Sequence, residues 1–114
     1  PMPLKRVILE MGTGNDLHGG DYTKAALRAV NNALHHSSVG FTRALGINSS
    51  EMNVEVTIGV QEPGQVDKGA VKASLPVGQV TVNAVKGGID VPDPDGGDFA
   101  IIANAAIAVK LDLP

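Results

Sequence analysis

The sequence predicts an α+β two-layer sandwich: a mixed sheet of about four strands with two helices on one face, in the order β-α-β-α-β-β. Three observations carry that reading. Apolar residues alternate with polar ones over Leu4–Met11, Met52–Val60 and Gln79–Val85. Helical spacing replaces that alternation between them, at Asp21–His36 and Val66–Leu75. The whole chain is 114 residues, the length of one domain.

The first strand reads LKRVILEM, with Val7, Leu9 and Met11 on one face, and it is expected to stop at the turn-rich Gly12-Thr13-Gly14-Asn15-Asp16. The first helix has a stripe of Tyr22, Ala26, Ala29, Val30 and Ala33, flanked by Leu27 and Leu34. Asp21 or Thr23 can cap its start, and His35 and His36 suit its last turn. A further turn over Phe41–Leu45, a stop at Gly46 and a polar loop at Asn48-Ser49-Ser50 are expected next. The second strand places Val54, Val56, Ile58 and Val60 on one face. After Pro63-Gly64 comes a short helix with Asp67 as cap, weakened by Gly69 and ended by Pro76 and Gly78. Gln79–Val85 is the third strand; Gly87-Gly88 then reads as a bulge before Ile89 and Val91. Pro92–Asp98 is an exposed acidic loop. Phe99–Leu111 is continuously apolar and β-branched, the pattern of a buried strand, with Asn104 set among alanines.

Composition narrows the function classes. There is no cysteine, which excludes disulfides, zinc–thiolate sites and thiol nucleophiles. A net charge of −3 argues against nucleic acid as a partner. Neither a membrane span nor a signal segment is apparent, and a cytoplasmic protein is expected. Aromatic residues are scarce, with one Tyr, two Phe and no Trp, while Gly reaches 14. Ala buries little area per residue, so part of the burial is expected between subunits of a homo-oligomer, through the sheet face that the helices leave open.

The chemistry-bearing stretch is Glu10-Met11-Gly12-Thr13-Gly14-Asn15-Asp16-Leu17-His18-Gly19-Gly20-Asp21. It joins a strand's end to a helix start, where ligands bind in many α/β proteins. It is not a dinucleotide fingerprint, since Leu17 stands at the third glycine position, nor a phosphate loop, since Lys24 lies too far on. No cofactor motif is present. Three readings stay open. Asp16 orients His18 as a general acid or base; Asp16, His18 and Glu10 bind a divalent metal; or these residues are structural. Glycines at 12, 14 and 19, with Glu10 and Asn104, are candidate ligand contacts. The ligand expected is a small polar or anionic molecule, drawn to backbone amides at the helix start.

Gly12-x-Gly14-x-Asp16-x-His18-Gly19 resembles the GxGxDxHG signature of a family of conserved hypothetical proteins, of listerial type, found in bacteria and, with a long extension, in plants. The resemblance runs the whole chain, through Thr23-Lys24-Ala25-Ala26, Val60–Asp67, Leu75-Pro76-x-Gly78, Gly87-Gly88 and Ala103–Ala106. It marks Gly12, Gly14, Asp16, His18 and Gly19 as characteristic positions and implies no reaction.

The alternatives are a non-enzymatic assembly module, in which Asp16 and His18 are structural, and a tautomerase-like enzyme using Pro1 as base. Against the second, the first strand starts only at Leu4 and no second β-α-β copy follows. His35-His36 reads as a polar helix end, and Asp93, Asp95 and Asp98 lack a calcium-loop pattern.

Overall fold

The computed structural model describes residues 4–35, 53–75 and 79–112. Pro1, His36, the Phe41–Leu45 turn with its Gly46 stop, the Asn48–Ser50 loop, Met52, and Pro76 with Gly78 lie outside them. The elements are β1 (Leu4–Asp16), α1 (Tyr22–His35), β2 (Asn53–Val60), a 3-10 turn (Pro63–Gln65), α2 (Lys68–Ala73), β3 (Gln79–Lys86), β4 (Ile89–Pro92) and β5 (Phe99–Asp112). They form the expected α+β arrangement, with five strands.

The sheet runs β1-β5-β2-β3, and β4 also pairs with β5. β5 is therefore the central strand, antiparallel to β1, β2 and β4, which explains its continuous apolarity. β2 and β3 are parallel. Parallel neighbours need a crossover, here the 3-10 turn and α2. Asp67 caps α2, its Oδ1 accepting from the Ala70 N–H at 3.1 Å.

Register fixes the two faces. Val54, Val56 and Ile58 lie beside Val109, Ile107 and Ala105 of β5, and beside Val80, Val82 and Ala84 of β3. With Ile101 and Ala103 these form a core under α1, which buries Tyr22, Ala25, Ala26, Ala29, Val30 and Ala33. The alternate β5 residues, Ile102, Asn104, Ala106 and Ala108, face the other way and are only partly covered or exposed.

Two expectations are corrected. β1 does not stop at Met11. It continues to Asp16, with Gly12 opposite Ala105 and Gly14 opposite Ala103. These glycines look like turn formers, yet they are packing residues. A Cβ on Gly12 would lie 2.4 Å from the Ala33 nitrogen, and one on Gly14 would lie 2.2 Å from the Ala29 nitrogen. Backbone meets backbone there, so the Ala-lined stripe of α1 lies directly on the strand. The helix also tends the outer edge of β1. The Thr13 N–H donates to Asn32 Oδ1 at 3.0 Å, and Arg28 Nη1 donates to the Asn15 carbonyl at 2.7 Å. Unpaired edge groups are thereby satisfied, which discourages edge-to-edge association.

Gly87-Gly88 is a crossing rather than a bulge. The Gly87 N–H donates to the Val60 carbonyl at 2.9 Å as the chain passes the end of β2. Gly88 has φ 60°, and a Cβ there would sit 2.1 Å from the Ile102 carbonyl oxygen. The chain then continues as β4, with Ile89 opposite Ile102 and Pro92 opposite Phe99.

Candidate functional site

Asp16 ends β1 and is 4% exposed. Its Oδ2 accepts from the Asp21 N–H at 2.9 Å, and its Oδ1 lies 3.5 Å from Arg28 Nη1. The carboxylate thus closes the turn between strand and helix and ties it to the second turn of α1. Asp21 is the cap of α1: its Oδ1 accepts from the Lys24 N–H at 3.0 Å. The Thr23 hydroxyl accepts from the Asp67 N–H at 2.9 Å, pinning the helix start to the start of α2.

The sequence candidates lie apart from one another. Asp16 is committed to the turn. His18 is exposed, and among the described residues no hydrogen bond or ion pair joins it to Asp16 or to anything else. Glu10 is half-buried on the helix side of β1, opposite Ile107, roughly 20 Å along the strand from Asp16. Asn104 stands exposed on the opposite sheet face, beside Thr13 and Gly59. His35 bonds its own helix, Nδ1 to the Asn31 carbonyl at 2.8 Å. Among the described residues no group of three or more His, Asp or Glu side chains is placed to hold a metal ion.

The last glycine of the signature and the glycine after it do border a cavity. Gly19 and Gly20, at φ 94° and 61°, turn the chain through conformations that residues with a Cβ rarely adopt. A Cβ on Gly20 would lie 3.2 Å from the Phe99 ring. The cavity they border is about 540 Å³ and is also lined by Tyr22, Glu62, Asp90, Asp98 and Phe99. Its charged side chains are all carboxylates. The Tyr22 hydroxyl donates to Asp90 Oδ2, and its ring meets Phe99 at 6.2 Å in a tilted contact. Burial, the hydrogen bond to Asp90 and the charges of Asp90 and Glu62 push the Tyr22 phenol from 10.0 up to about 12. Asp90 Oδ1 is buried and has no hydrogen-bond partner among the described residues.

Sequence reasoning missed Asp90, although a signal was present. In Ile89-Asp90-Val91, alternation assigns the two apolar residues to the core. The structure inverts this. Ile89 and Val91 are 56% and 45% exposed, while Asp90 points inward beside Ile101. A strand that turns a half-buried carboxylate inward and exposes its β-branched residues breaks local consistency, and such breaks mark functional sites.

A family model described as "Conserved hypothetical protein (Lin0512_fam)" matches residues 6–109. The chain belongs to this family. The GxGxDxHG resemblance read from the sequence is thereby borne out. Among solved structures, an FtsZ-like protein of unknown function from Nostoc punctiforme matches with a TM-score of 0.82 at 38% identity, covering 99% of this chain and 100% of that one. Comparison with curated proteins finds no match. In this family member, no helix among the described residues is long and apolar enough to cross a membrane.

Proposed function

We propose that this protein binds a small molecule bearing a cationic nitrogen, an ammonium or guanidinium group, in the cavity between the Gly19-Gly20 turn and β4. The observation that carries this is the Asp90 carboxylate. One of its oxygens takes the Tyr22 hydroxyl; the other is buried without a donor among the described residues, on a residue that lines the cavity. A buried acceptor left unpaired costs about 1–3 kcal/mol, which a ligand N–H would recover. Glu62 and Asp98 add negative charge, and the Phe99 ring offers a face to a cation. This lining narrows the polar-or-anionic expectation to a cation, because a bound anion would meet three carboxylates. Tyr22 keeps its proton through the neutral range and so holds Asp90 in place as a donor.

The proposed site uses Gly19, the last residue of the signature, with Gly20 and Tyr22 just after it, rather than residues 12–18. Gly19 and Gly20 shape the wall, and Asp16 holds their turn shut from behind. Calorimetric titration with methylguanidinium, butylammonium and inorganic phosphate tests the reading. Heat is expected from the cations and not from phosphate, and Asp90→Asn is expected to weaken cation binding at least tenfold. Phosphate binding that survives Asp90→Asn, with no cation binding, would contradict it.

A further inference from the structure

We infer that the open face of the sheet is the docking surface for a second copy of this chain. Among the described residues both helices lie on the other side, and the exposed large apolar residues of the strands gather here. By register, Leu9 lies opposite Ala108 and Met11 opposite Ala106, Val85 follows next to Gly59, and Ile89 is opposite Ile102, all pointing to one side. They are exposed by 41% (Leu9), 66% (Met11), 47% (Val85) and 56% (Ile89). Set among Thr13, Thr57, Thr81, Asn83 and Asn104 of the same face, exposed apolar side chains in this number mark an interaction surface.

Size, shape and charge select the occupant. β1 and β5 run together from the Leu4–Asp112 pair to the Asp16–Ile101 pair, with β2, β3 and β4 alongside. At ~3.3 Å per residue and ~4.8 Å per strand, the face measures roughly 700 Å². A stable interface buries about 800 Å² per partner, so this face alone approaches what one copy must contribute. Asn104 and Ala106 form the floor of a shallow trough between Met11 and Thr57 or Val85, about 540 Å³ in volume. A two-fold pairing would set the second copy's Met11 into this trough and this copy's Met11 into the other, which is how an isologous contact closes. The face also does not repel its own kind, since Glu55 and Lys110 on it pair with each other.

Sedimentation velocity and light scattering on the full chain across a hundredfold dilution series test this. Wild type is expected at twice the 11.7 kDa chain mass at high concentration. Met11→Glu and Val85→Glu are each expected to reduce it to the single-chain mass with unchanged circular dichroism. Leu17→Glu, an equally exposed apolar position in the turn, is expected to leave the mass doubled. If Met11→Glu fails to fold, Val85→Glu and the wild-type series still decide. A single-chain mass for wild type throughout would overturn the inference. So would any assembly that survives both face substitutions.

Discussion

The two halves of the Gly12–Gly20 segment use the same residue for opposite reasons. Gly12 and Gly14 are ordinary extended strand, and glycine is required because the backbone of α1 occupies the space of any side chain. Gly19 and Gly20 have room, or only the tip of the Phe99 ring nearby, and glycine is required for the backbone angle itself. Asp16 stands between the halves and belongs to both: it ends the strand, and it holds the turn through the Asp21 N–H. One half therefore builds the helix–sheet contact, while the other shapes a cavity wall. A motif of uniform appearance divides into packing and site.

The comparison breaks most sharply at Gly14. Gly14→Ala places a methyl 2.2 Å from the Ala29 nitrogen, so the helix must lift from the strand. A loss above ~4 kcal/mol, read as failure to fold or a collapsed thermal transition, is expected. Asp16→Ala comes next. It leaves the Asp21 N–H without its acceptor and removes the Arg28 ion pair, and a loss of about 2–3 kcal/mol in denaturant unfolding is expected. Gly19→Ala tests the other half. Its nearest neighbour would be Asp16 Oδ2 at 3.8 Å, so only the positive φ penalises it, by about 1–2 kcal/mol. A Gly19→Ala loss as large as that of Gly14→Ala would erase the distinction between the halves.

Tyr22 supplies a pH signature for the cavity half. The folded chain holds the phenolic proton to about pH 12, whereas the unfolded chain releases it near 10.0. The stabilisation is therefore whole below pH 10 and is lost as pH rises toward 12. Tyr22→Phe is expected to remove that alkaline loss, measured as the pH dependence of urea midpoints. The smallest effect belongs to His18→Ala. His18 is exposed without a partner among the described residues, so thermal unfolding is expected to change by less than ~0.5 kcal/mol.

Much of the fold was legible because its signals are local. The Val54–Val60 alternation, the Tyr22–Ala33 stripe, the Asp67 cap and the apolar run from Phe99 each state their element within a few residues. What was not legible depends on partners distant in sequence. Gly12 and Gly14 read as a turn until α1 is laid across them. Gly87-Gly88 reads as a bulge until the Val60 and Ile102 carbonyls come within contact. The cavity is harder still, because Tyr22, Glu62, Asp90 and Phe99 come from separate elements that meet only through the sheet topology. Asp16 and His18 are close in sequence, yet one side chain turns inward to the loop backbone and the other outward to solvent.

The most direct test follows backbone amide shifts of the full chain during titration with methylguanidinium. The division of the signature predicts that shifts concentrate at Gly19, Gly20, Asp90 and Phe99, leave Gly12 and Gly14 unmoved, and vanish in Asp90→Asn. Shifts centred on Gly12–Gly14 and His18, or none near Asp90 at saturating cation, would contradict it.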